Sequence, residues 1–144
     1  MKSYTLNAII FALCIYSVLN CSCMFPKSPL EVIDNYSDIF TGIIESIEII
    51  GDAPNGIGAN QLKATFKVYT IYKGKDEATK VVYTADSSAT CGIGFEVGQE
   101  WFIYANGGSK LVPKLSANIC SRSTFLSGAD EDISALKYLL EGRC

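Results

Sequence analysis

At 144 residues, with a net charge of −3, six cysteines and no histidine, the chain is long enough for one domain with its own core and too short for two ordinary ones. No run of Lys or Arg tracks a phosphate backbone, which argues against a nucleic-acid partner. The missing imidazoles remove Ser-His-Asp and Cys-His catalysis and every His-based zinc site, so the chain reads as no enzyme.

In chain order, the first element is a leader. Lys2 supplies a short positive region and Ala8 to Tyr16 an apolar stretch too short to span a bilayer, the pattern of an export signal over residues 1–20. No later run reaches the roughly 18 apolar residues of a membrane helix. The mature domain is then 21–144, secreted, and it opens on Cys21-Ser22-Cys23 with a free amine on Cys21. Val18-Leu19-Asn20-Cys21 also loosely resembles a bacterial lipoprotein box, which offers the alternative of a lipid anchor in the cell envelope; only then does the chain meet a membrane.

Pro26 and Pro29 break regular structure, and Leu30 to Tyr36 carries the spacing of a short helix started near Ser28-Pro29. Asp38 to Ile50 is a β-branched run, apolar on both sides, with Gly42 marking a bend or bulge. Gly51 to Asn60 is a loop, and Leu62 to Lys73 alternates as a strand with one face inward. Lys80 to Thr84 makes a third strand and Trp101 to Ala105 a fourth. The fourth is joined through Asn106-Gly107-Gly108-Ser109 to a fifth around Leu111 to Leu115, as a hairpin. Ser127 with Asp130 starts a last helix, whose stripe is Ile133, Leu136 and Leu140 with Leu139 beside them and whose stop is Gly142. The expected fold is mainly β: a five-stranded Greek-key barrel of the OB type with flanking short helices, or else a β-sandwich.

Once Cys14 leaves with the leader, Cys21, Cys23, Cys91, Cys120 and Cys144 remain. In an exported protein these favour disulfides, and an odd number leaves at least one thiol unpaired; spacing does not choose among the fifteen ways of forming two bridges. A zinc site of its own fits poorly, because Cys21 and Cys23 are a C-x-C pair and the others are far apart. Asp130-Glu131-Asp132 complements a helix dipole rather than forming a catalytic acid pair. Gly92-Ile93-Gly94 and Gly107-Gly108 are turn glycines, and no cofactor is called for. What stands out is the mature amino end. A free α-amine has a pKa of about 7.7 to 8.0, so part of it is uncharged near neutrality and able to donate a lone pair to a metal. Amine and carbonyl oxygen of one residue close a five-membered chelate ring, suited to the open position of a catalytic zinc.

These residues resemble the inhibitory N-terminal domain of the tissue inhibitor of metalloproteinases family, a netrin-like module on an OB barrel. The resemblance spans most of 21–144 and rests on Cys21-Ser22-Cys23, Ile39-Phe40-Thr41-Gly42, Tyr72-Lys73-Gly74, Tyr83-Thr84, Cys91-Gly92 after a Ser/Ala/Thr loop, and Cys120 before the last helix. It implies bridges Cys21–Cys91 and Cys23–Cys120, with the amine and carbonyl of Cys21 binding the zinc of a target metalloproteinase. It also implies that Ser22 stands at the entrance of the target's main pocket, and that Cys23, Met24 and Ser88-Ala89-Thr90 extend the contact ridge. On the chain-entropy model each such bridge restricts the unfolded chain by roughly 4 to 5 kcal/mol. Three features depart from the family pattern, the first being that the second, cysteine-rich domain of the animal inhibitors is expected to be absent. Cys144 has no partner near Val32, Ile33 or Asp34, which leaves it unpaired or available to link two chains as a dimer; and Met24-Phe25-Pro26 places its proline one position late. The expected function is a secreted metalloendopeptidase inhibitor, the alternative a netrin-like binding module that inhibits nothing.

Overall fold

The computed structural model describes residues 21–24, 28–51 and 60–142. The leader 1–20, Phe25, Pro26 and Cys144 lie outside the described residues, and so do the expectations that fall on them. Over the described residues the chain is mainly β, a six-stranded curled mixed sheet forming a half-barrel, with two short helices. The strands are β1 (Asp38–Ile50), β2 (Gln61–Lys73), β3 (Thr79–Ala85), β4 (Glu100–Ala105), β5 (Leu115–Ser116) and β6 (Thr124–Phe125), in the order β5-β3-β2-β1-β4-β6. All neighbours are antiparallel except β3 and β5. Among the described residues no helix is long and apolar enough to cross a membrane.

The first half of β1, up to Ile44, is apolar on both sides because both of its faces are covered, whereas beyond it Ile49 is 70% exposed. Phe40 and Ile44 point into the half-barrel with Ala64, Phe66, Val82, Ile93, Phe95, Trp101, Ile103, Ala105, Leu115 and Ala117. Phe40, Phe66, Phe95 and Trp101 run through this core as successive edge-to-face pairs, with centroids 5.2 to 5.6 Å apart, a favoured aromatic geometry. Ile39 faces the other way, with Phe102, Tyr104, Val32, Ala129 and Leu136, into a second core beneath the helices. Period-two alternation along β1 and β4 thus feeds two cores from one pair of strands. Gly42 sits at a register shift between β1 and β2, where a Cβ would meet the Lys67 carbonyl oxygen at 2.6 Å. The expected bend is there, and close backbone approach is its cause.

The first helix, α1 (Pro29–Val32), begins with proline in its first turn as expected and runs on into a 3-10 turn at Ile33–Asn35. The last, α2 (Asp130–Glu141), ends at Gly142, but its N-cap is Ala129 and no side chain caps it; Ser127 lies instead in the 3-10 turn Leu126–Gly128. Its packed stripe is Ile133, Leu136 and Leu139 rather than Leu140, which is 49% exposed.

The expected hairpin after β4 is corrected. Leu111 and Val112 are exposed, and Ser109 and Val112 bond each other in a turn instead of joining a strand. Pairing resumes only at Leu115–Ser116, parallel to β3, and a single antiparallel bridge, Asn106 with Ser116, ties the end of β4 to β5. At that end of the half-barrel the buried Lys80 ammonium lies 2.7 Å from Asp38, whose carboxylate also accepts from the Ser37 hydroxyl. Such pairing is what makes a buried ammonium tolerable.

Candidate functional site

At the opposite end of β3 the chain enters the turn that carries the first half of the candidate site. Ser87 caps it: its hydroxyl accepts from the Ala89 N–H at 3.2 Å, and its carbonyl oxygen accepts from Thr90 Oγ1 at 2.9 Å and from the Gly92 N–H at 2.8 Å. Small polar residues favour such local bonding. Ser88–Thr90 form a 3-10 turn with all three side chains exposed, and Cys91 follows in the left-handed region at φ 65°. Gly92 is required by packing, since a Cβ there would overlap the Ala85 carbonyl. Behind it the Ile93 N–H donates to buried Thr84 Oγ1 at 2.9 Å, anchoring the turn to β3.

A second turn, 118–121, lies against the first. Asn118 Oδ1 accepts from the N–H groups of both Cys120 and Ser121, and the Asn118 carbonyl accepts from Ser121 Oγ at 2.7 Å. The Ile119 N–H donates to the Cys91 carbonyl at 2.9 Å, locking the two turns together. Sequence reading passed over Asn118 and Ile119; the Asn-x-x-Ser spacing carried a turn signal that could have found the first.

Onto this pair of turns the amino segment is stapled twice. Cys21 is bridged to Cys91 and Cys23 to Cys120, with Cα atoms 5.3 and 5.1 Å apart, so both expected disulfides are present. Among the described residues no hydrogen bond other than a sulfur contact joins residues 21–24 to the rest of the chain. Cys21 is half-buried, while Ser22, Cys23 and Met24 are exposed, Met24 at 90%. Ser22, Met24 and Ser88-Ala89-Thr90 are therefore displayed from two chain segments, which covalent and backbone bonds join to each other and to turn 118–121.

The sulfur atoms of Cys21, Cys91 and Cys120 lie within 4.8 Å of one another. That clustering follows from two neighbouring disulfides, and oxidised sulfur offers no thiolate to a metal. The chain matches no protein-family model, and no curated protein matches it. A functional reading therefore rests on this geometry and on the residues quoted above.

Proposed function

We propose that the chain is a secreted inhibitor of zinc metalloendopeptidases, of the tissue inhibitor of metalloproteinases type. Removal of the leader 1–20 frees the amine of Cys21, and the single domain 21–144 acts by binding rather than by catalysis. The amine and carbonyl oxygen of Cys21 enter the open position of the target's catalytic zinc and displace its water. Ser22 is small enough to sit at the mouth of the target's main pocket, and Cys23, Met24, Ser88, Ala89 and Thr90 widen the contact. One observation carries this reading: a four-residue segment held by two disulfides, with Ser22 and Met24 between and beyond them exposed. Binding through so short a segment is weak if its ordering has to be supplied on contact, and strong if the segment is fixed beforehand.

The OB and netrin-like assignment belongs to the same proposal. Its support is the strand neighbourhood, in which β1 is flanked by β2 and β4, β3 runs parallel to β5, and the Asn106 to Ser116 bridge leads from β5 back towards β4. Such a neighbourhood suits a five-stranded, partly open Greek-key barrel to which β6 is an addition. The bridge of Cys21 to Cys91 also weighs against a lipid anchor, because alkylation of the thiol to a lipid thioether consumes the same sulfur.

The test is to purify the exported protein, determine its first residue and intact mass, and assay it against a panel of zinc endopeptidases alongside a form carrying one alanine before Cys21. The expected result is inhibition by the native form and its abolition in the extended form, with both melting at the same temperature. Undiminished inhibition by the extended form eliminates the amine as ligand. If neither form inhibits any panel member, the binding-module reading replaces this one.

A further inference from the structure

We propose that the two disulfides are coupled by exchange, so that a thiol opening the exposed bridge drives formation of a third link, Cys21–Cys120, and moves the amino end to a new position. The two bridges lie side by side: Cys21 Sγ is 3.9 Å from Cys120 Sγ although the residues belong to different disulfides. Access is unequal, for Cys23 and Cys120 are exposed while Cys21 and Cys91 are half-buried. An external thiolate therefore meets Cys23–Cys120 first. Among the described residues no hydrogen bond beyond a sulfur contact holds 21–24 against the shift. The acceptor side stays in place, because turn 118–121 is fixed by Asn118 and by the Ile119 to Cys91 hydrogen bond.

The chemistry balances without an oxidant. A low-molecular-weight thiolate attacks Cys23 Sγ; a mixed disulfide forms on Cys23 and the Cys120 thiolate leaves. That thiolate attacks Cys21 Sγ across the short gap, forming Cys21–Cys120 and breaking Cys21–Cys91, and the Cys91 thiolate departs and takes a proton from water. One thiol is consumed and one protein thiol appears, through two successive exchanges of the ordinary kind. Cys21 then hangs from turn 118–121 instead of the turn that carries Ser88–Thr90, and the ridge is dismantled while the half-barrel is untouched. The loss of inhibition that follows rests on the function proposed above; the exchange itself does not.

The experiment uses the mature chain with Cys144→Ser, which removes the remaining thiol, and adds Cys23→Ala in one variant and Cys91→Ala in another. Each is trapped with N-ethylmaleimide at low pH and mapped by mass spectrometry without reduction. Both variants are expected to converge on Cys21–Cys120 in more than a tenth of molecules, with the trapped thiol on Cys91 in the first and on Cys23 in the second. A third sample, with both native bridges intact and treated with reduced glutathione, is expected to carry glutathione on Cys23 and a trapped thiol on Cys91. This sample needs no folding of a bridge-deficient variant. Retention of Cys21–Cys91 with a trapped Cys120 in the first variant, or of Cys23–Cys120 with a trapped Cys21 in the second, overturns the proposal. So does a glutathione-treated sample in which Cys120 alone is trapped.

Discussion

Tyr104 shows how one side chain joins the two halves of the molecule. Its ring is fully buried under the helices, and its hydroxyl donates to Asp132 Oδ1 at 2.6 Å, the same oxygen that accepts from Arg122 Nε at 2.6 Å. The three acids that open α2 read in sequence as a charged helix start, but Asp132 is only 4% exposed and is the anchor of α2 on β4. No local pattern marks it, because its partners lie 10 and 28 residues away. Burial, followed by the bond to the Asp132 carboxylate, pushes the Tyr104 phenol well above its ordinary value of 10.0. Below pH about 10 the phenol is neutral in both the folded and the unfolded chain and adds no pH dependence. Above it the unfolded chain releases a proton that the folded chain keeps, so stability falls as pH rises. Tyr104→Phe is expected to flatten that fall, measured as the urea midpoint between about pH 9 and pH 11.

At the scale of elements, β1 carries the most consequence because it supplies residues to both cores and pairs with β2 and β4 together. Gly42→Val forces a Cβ against the Lys67 carbonyl at the register shift, and is expected to cost about 1 to 3 kcal/mol in denaturant unfolding. β1 to β4 and both helices were legible because each spans enough residues to show a period, begins on proline or ends on glycine. β5 and β6 were not: two residues each hold no period, and what creates them is pairing with β3 and β4. Leu111 and Val112 misled for the converse reason, being apolar side chains that face water. The disulfide partners were equally invisible to spacing, since turns 87–92 and 118–121 meet only through the fold; they came from the family resemblance.

On the scale of the whole molecule, the half-barrel has two unlike ends. One closes on the buried Lys80–Asp38 pair, which is internally neutralised. The other offers Ser22, Met24 and Ser88-Ala89-Thr90 from a scaffold whose stability comes from cores elsewhere, a division that suits a rigid part meeting a foreign surface. Fixing the amino segment by sulfur alone separates two properties that usually travel together. Ser22, Cys23 and Met24 hold their place, yet their amides have no acceptor among the described residues. By solution NMR in deuterated water those three amides are expected to swap hydrogen for deuterium at open-chain rates, while the paired amides of β1 and β4 remain protected for far longer. Order here leaves no trace in exchange protection, and only a probe of position, such as the chemical shift or a nuclear Overhauser contact, can register it.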